Sequence, residues 1–326
     1  MLPKQQCAAW MVVVVTGLAG VSGACSGASA NGEIAPKVTP RTKPKTKDWG
    51  AVKVPPEATL KAWSWDRGFV VAVTSEAILV EARKAASLNS RGVVVQKGDS
   101  EDSFLITSLY DALVDEALER RRAGQSSKMQ TTIVVERTTP YRLLTEIMYT
   151  ATQAQMGQVR VALQGPSETQ WRGFVVVAPR QSAKTLDGDD TLPVVLVISG
   201  DGYTVLESGK PVPPVRGCRR RGSTVSVCLK PDRSGVKAYD TRRLYNTLVK
   251  VKEEKAEVKE VVIIAEEDTS MEVLAETVAV VRYIRPSDED DNTFDDDEQF
   301  KAAQRPLQPK QIGTPLFPKV VLGVAQ

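Results

Sequence analysis

The sequence predicts an α+β protein made of two tandem two-layer α/β domains, each in the order β-hairpin, helix, strand, helix, strand. Three observations lead there. Ile133–Leu144 and Ile263–Leu274 align without a gap at an offset of 130 residues. In both copies a short apolar run ends in a carboxylate, Glu136 or Glu266, a polar turn follows, and apolar residues then recur at helical spacing. Upstream, Ser108–Leu113 is echoed by Arg243–Leu248 and Val71–Glu76 by Leu196–Asp201, at offsets of 135 and 125. Three segments in one order, with offsets that differ only by small loop changes, describe two diverged copies of one domain. A solenoid would show a period of about 20 to 50 residues instead.

The chain opens with Lys4 and the apolar run Ala8–Ala24, centred on Val12–Val15. Its length is marginal for a bilayer and typical of a signal peptide, so export to the cell envelope is expected. Three fates of residues 1–25 stay open. Ala28-Ser29-Ala30 offers an ordinary signal-peptidase site, Ser22-Gly23-Ala24-Cys25 resembles a relaxed lipobox that makes Cys25 a lipidation candidate, and the run can also remain as an anchor. Residues 26–62 follow as an extended, disordered linker, with Pro36, Pro40, Pro44, Pro55 and Pro56 among Lys, Arg and Thr. In polyproline form it reaches on the order of 90 Å.

The first domain is assigned to residues 63–166. Phe69–Val73 and Ala77–Glu81 form its hairpin; Phe104–Arg121 is a helix with Leu105, Leu109, Leu113 and Leu118 inward; Thr132–Val135 is a strand. Thr139 as N-cap with Pro140 at the first helical position starts the next helix, whose stripe is Leu143, Leu144, Ile147, Met148 and Ala151. Val159–Leu163 closes the unit. In the connector, 167–191, the run from Gln170 to Pro179 has the character of an extra edge strand.

The second domain, 192–326, repeats the plan. Val194–Ile198 and Tyr203–Leu206 flank a Gly200-Asp201-Gly202 turn, Asp240–Glu253 is a helix, and Val261–Ala265 is a strand. Thr269 as N-cap with Glu272 three residues on reads as a capping box for Met271–Arg282, with Met271, Leu274, Val278 and Val281 inward. An acidic and then Pro/Gln-rich loop, 287–315, interrupts the unit before the strand Leu316–Leu322.

Composition narrows the chemistry. With 43 Lys and Arg against 40 Asp and Glu, no bulk attraction to nucleic acid is expected. The chain has no histidine, no Cys-x-x-Cys and no glycine fingerprint after a strand, so catalytic, cofactor and metal sites are all expected to be absent. Glu136 and Glu266 are read as structural or exposed, since general acid catalysis needs a paired, environment-shifted group. The block Asp288–Asp291 and Asp295–Glu298 lacks the glycine and terminal glutamate of a calcium loop and reads as a solvated run. Cys218 and Cys228 flank Arg219-Arg220-Arg221-Gly222-Ser223, a hairpin tip. Export favours a disulfide there over two separately buried thiols. Arg219, Arg220 and Arg221 form an exposed turn or a contact for an anionic partner.

The element order resembles the periplasmic domain of the ExbD/TolR family of biopolymer-transport proteins. In the second unit the likeness is carried by Val194–Ile198 with Asp201-Gly202, Leu244-Tyr245 with Leu248, Val261–Glu266, the Met271–Arg282 helix and Leu316–Leu322. The first unit is similar through Leu109–Leu113 and Thr139–Leu144. The resemblance implies a non-enzymatic envelope protein whose domains pair and bind partners or the wall: an ExbB/TolQ-like membrane subunit, another envelope protein, or peptidoglycan. It also implies a role in protein or other biopolymer transport, with a lipoprotein adaptor without transport as the alternative. Family members carry a transmembrane aspartate for proton coupling, whereas Ala8–Ala24 holds no Asp or Glu. Two copies in one chain sit at high effective concentration, so the domains are expected to pair within the chain as a pseudo-symmetric couple.

Overall fold

Helices and strands are interleaved along the chain in two sheets. The computed structural model describes residues 53–56, 59–60, 68–96, 103–124, 130–156, 158–165, 170–177, 193–218, 224–282, 298–300 and 316–323. In the first half the order is β1 (Phe69–Val73), β2 (Ala77–Val80), β3 (Arg83–Ser87), α1 (Thr107–Arg122), β4 (Gln130–Val135), α2 (Tyr141–Gln153), β5 (Gln158–Gln164) and β6 (Trp171–Val176). In the second it is β7 (Val194–Ser199), β8 (Gly202–Glu207), β9 (Lys210–Pro211), β10 (Val227–Cys228), α3 (Thr241–Glu254), β11 (Glu260–Ala265), α4 (Met271–Val281) and β12 (Lys319–Leu322), with a 3-10 turn at Gly235–Ala238 before α3.

The sheets run β3-β2-β1-β4-β5-β6 and β10-β8-β7-β11-β12. In each, an antiparallel hairpin feeds a parallel trio: β1, β4 and β5 in one, β7, β11 and β12 in the other. The α+β reading and the repeated order therefore hold. Both helical stripes are buried as the sequence indicates, from Leu143 to Ala151 and from Met271 to Val281. One hydrophobic cluster runs through both halves, from Phe69 and Ile133 to Ile263 and Phe317.

The sheets differ on their outer faces. All five residues of β1 are buried, because Val70, Ala72, Val134 and Ala162 form a second small cluster joined by Val54, Leu79 and Trp171. β7 and β11 instead alternate buried and half-buried residues, as a strand with one covered face does.

Four local expectations change. β3 is a strand that no apolar alternation announces; Glu81 and Ala82, both at positive φ, turn the chain into it. α1 starts at Thr107, after Leu105, and Leu118 is 41% exposed. The inward place is taken by Glu116, which is buried because Arg83 and Arg120 reach it at 2.5 and 3.1 Å. Arg120 also bonds Glu81 at 2.8 Å and lies over the Phe69 ring. The helix caps sit one residue later than expected: Pro140 is the N-cap of α2, and Ser270, not Thr269, caps α4 by accepting from the Val273 amide.

The cap shift has a cause. The Tyr141 amide donates to the Thr269 carbonyl at 2.8 Å and the Met271 amide to the Thr139 carbonyl at 3.1 Å, closing an antiparallel bridge between Pro140 and Ser270. Arg142 donates from its amide to Glu267, and Glu272 to Arg137, in the same exchange pattern. These are equivalent positions of the two copies, so the seam has the form of an isologous contact. Glu272, the expected capping-box residue, pairs with Arg137 instead. At a second place β6 and β12 meet through Val177, whose amide donates to Val320 and whose carbonyl accepts from Leu322.

Candidate functional site

Of the predicted arginine and cysteine features, the structure places the disulfide, in one corner of the second half. Cys218 and Cys228 are joined by a disulfide, in keeping with an exported protein. Cys218 is 2% exposed and Cys228 lies in β10, which pairs with the start of β8. Arg219, Arg220, Arg221 and Cys25 lie outside the described residues.

Just before the disulfide, the chain makes a strap over β8. Ser208 and Gly209, both at positive φ, turn β8 into β9, and Pro211-Val212-Pro213-Pro214-Val215 follows. The strap is fixed from inside. Val212 donates to the Val205 carbonyl, Val215 to the Ser226 carbonyl, and the buried Ser226 hydroxyl donates to Val212 while accepting from the Val205 amide. Proline has no N–H, so residues 211–215 spend both of their amide protons inward.

Across from the strap stands α3. Asp240 caps it by accepting from the Arg243 amide at 3.1 Å. Leu244, Tyr245, Leu248 and Val251 face the core, which leaves Arg242, Arg243, Asn246 and Lys250 toward the strap. Between them lies a groove of about 850 Å³, lined also by Lys255, which pairs with Glu207 at 3.0 Å and with the Ser208 hydroxyl at 2.6 Å. Six Lys or Arg side chains line it against two glutamates, Glu207 and Glu254, a surplus of four positive charges where the whole chain has three. The apolar part of its lining is proline and valine.

Sequence reading did not find this groove. Its signal was present as Arg242, Asn246 and Lys250 at steps of four on one helix, together with the Pro-rich run 211–214. The strand-end carboxylates are exposed: Glu266 accepts from the Gly200 amide at 2.7 Å, and Glu136 borders a hollow of about 290 Å³ with Thr74 and Lys53. Glu266 thus ties the β7–β8 turn to β11. Among the described residues no group of three or more His, Cys, Asp or Glu is placed to hold a metal ion. No helix among them is long and apolar enough to cross a membrane.

Buried hydroxyls are the most perturbed groups. Burial pushes the Tyr141 phenol well above its ordinary value while it donates to the carbonyls of Gly323 at 2.6 Å and Ile263 at 3.0 Å. Burial does the same to Tyr203, which shares a 3.1 Å hydrogen bond with Thr277. Neither opens into the groove, and both read as fold-holding contacts.

No protein-family model and no curated protein matches this chain.

Proposed function

We propose that this chain is a non-enzymatic cell-envelope protein in which two ExbD/TolR-like domains, paired within the chain, bind partners in the transport of protein or another biopolymer. The reading is supported above all by the repeated order hairpin, helix, strand, helix, strand, with the parallel trio in each sheet. The seam through Pro140 and Ser270 supports a pairing of the two halves within the chain, as the resemblance implies. The disulfide fits an oxidising compartment. The partners are an ExbB/TolQ-like membrane subunit or another envelope protein, with peptidoglycan as a further candidate.

A second reading, a lipid-tethered adaptor through Cys25 with no transport role, draws on the absence of Asp and Glu from Ala8–Ala24. Affinity capture of the tagged full chain from cross-linked native envelopes separates the two. Recovery of an ExbB/TolQ-like subunit is the expected result. Recovery of envelope proteins without one transfers the assignment to the adaptor, and a chain found only in the cytosol sinks both.

A further inference from the structure

We propose that the groove between the Pro211–Val215 strap and α3 is a docking site for an acidic peptide segment of a partner protein, one that carries apolar side chains between its carboxylates. The proposal rests on the groove alone and stands whatever family the chain belongs to.

Three features of the groove select that occupant. Its charge is mostly positive: Lys210 and Arg216 line it from the strap side and Arg242 and Lys250 from the helix, and all but Arg242 are exposed. A ligand with carboxylates along both edges meets cations along both edges. Part of its lining is apolar, from Pro211, Val212, Pro214 and Val251, so a purely ionic ligand leaves that surface wet while leucine-like side chains cover it. Its strap has no outward N–H between residues 211 and 215, because the two amides present are bonded inward. A strand cannot be added there by amide donation from the strap, so recognition runs through side chains.

A volume of about 850 Å³ falls within the range of well-formed ligand sites.

The test measures fluorescence anisotropy of a labelled 12-residue peptide of Glu-Glu-Leu repeats titrated with the full-length protein. Binding is expected to weaken as salt rises, by about tenfold or more between 50 and 300 mM NaCl. Lys210→Glu with Lys250→Glu is expected to lower affinity at least about tenfold, while Lys84→Glu with Arg91→Glu, exposed charges of the first half, leaves it unchanged. A Glu-Glu-Gly peptide is expected to bind at least about tenfold more weakly than the leucine peptide. The proposal is overturned if the leucine peptide does not bind, if the groove reversal leaves its affinity intact, or if the glycine peptide binds equally well. It is also overturned if phosphatidylglycerol vesicles bind in a Lys210- and Lys250-dependent way and the peptide does not. Loss of the envelope partners in the capture experiment, with peptide binding intact, removes the family reading and leaves this one.

Discussion

Arg142 reaches across the seam to Glu267 at 2.8 Å, and exchanging the two halves turns this contact into that of Glu272 with Arg137. Position 137 corresponds to 267, and 142 to 272, at the repeat offset of 130. The first half brings arginine to both places and the second brings glutamate. A half facing a copy of itself would set Arg against Arg or Glu against Glu, so the charges specify one half with the other.

The Arg137–Glu272 pair gives the cleaner test of that code, because Arg142 also holds Glu146. Arg137→Glu or Glu272→Arg alone is expected to destabilise the fold by about 1–2 kcal/mol, since each creates a like-charge contact in a partly screened place. The double exchange restores stability to within about 0.5 kcal/mol. Urea midpoints of the four proteins decide it; a double variant no better than the sum of its singles contradicts the pairing.

Arg142 carries more than its seam contact. Its Nε donates to Glu146 at 2.9 Å, and that carboxylate is only 3% exposed, whereas Glu267 is 70% exposed. Glu267→Gln is therefore expected to cost less than about 1 kcal/mol, and Arg142→Met about 2–4 kcal/mol, because it takes a guanidinium away from a buried carboxylate. Equal costs in urea unfolding would mean that Glu146 does not depend on Arg142.

The disulfide makes a separate claim. Cys218 and Cys228 close a loop with a sequence separation of 10. Breaking it with Cys218→Ser and Cys228→Ser is expected to lower stability by about 2–3 kcal/mol. Alkylation of the untreated, denatured protein should leave both cysteines unmodified. Labelling at either one without reductant disproves the bond.

The repeat made much of this fold legible. Stripes such as Leu143 to Ala151 are short-range patterns, and the hairpin, strand and closing strand of each copy fall where the pattern places them. What the sequence hid depends on distant contacts. Thr139 and Thr269 look like caps until their carbonyls are committed to the opposite half. Glu81 and Glu116 look like surface residues until Arg120 reaches Glu81 across 39 residues of chain and Arg83 reaches Glu116 across 33. Arg83–Ser87 has no apolar alternation, and only the hairpin edge of β2 makes it a strand. The groove was illegible for the same reason, since the strap and α3 lie on either side of the disulfide and neither alone encloses space.

Glycine at the β7–β8 turn is expected to be irreplaceable. Gly202 has φ of +132°, and a Cβ there would stand 2.2 Å from the Val227 carbonyl oxygen of β10. Gly202→Ala must both strain the backbone and push β10 away, at a cost of more than about 2 kcal/mol. A backbone shift at Val227 would also disturb its neighbours Ser226, which pins the strap, and Cys228. The variant should thus show weaker protection of the Val212 and Val215 amides in hydrogen exchange, along with a lower unfolding midpoint. Wild-type protection at both amides would show that the turn and the strap are independent.

The buried tyrosines set an alkaline limit. Tyr141 is 2% exposed and Tyr203 is fully buried, and burial raises both phenols above their ordinary value of about 10. The folded state thus holds these protons more tightly than the unfolded chain does. Their contribution is complete below about pH 10 and is lost as pH rises toward the folded value, with a slope of up to about 1.4 kcal/mol per pH unit for each tyrosine. Tyr141→Phe should cost about 1–2 kcal/mol at pH 8, because the Gly323 and Ile263 carbonyls lose their donor. Above pH 10 the same variant should lose stability less steeply than the wild type, since one of the titrating phenols is gone. Urea midpoints measured at pH 8, 10 and 11 report both effects, and parallel slopes for the two proteins would show that Tyr141 does not stay protonated in the fold.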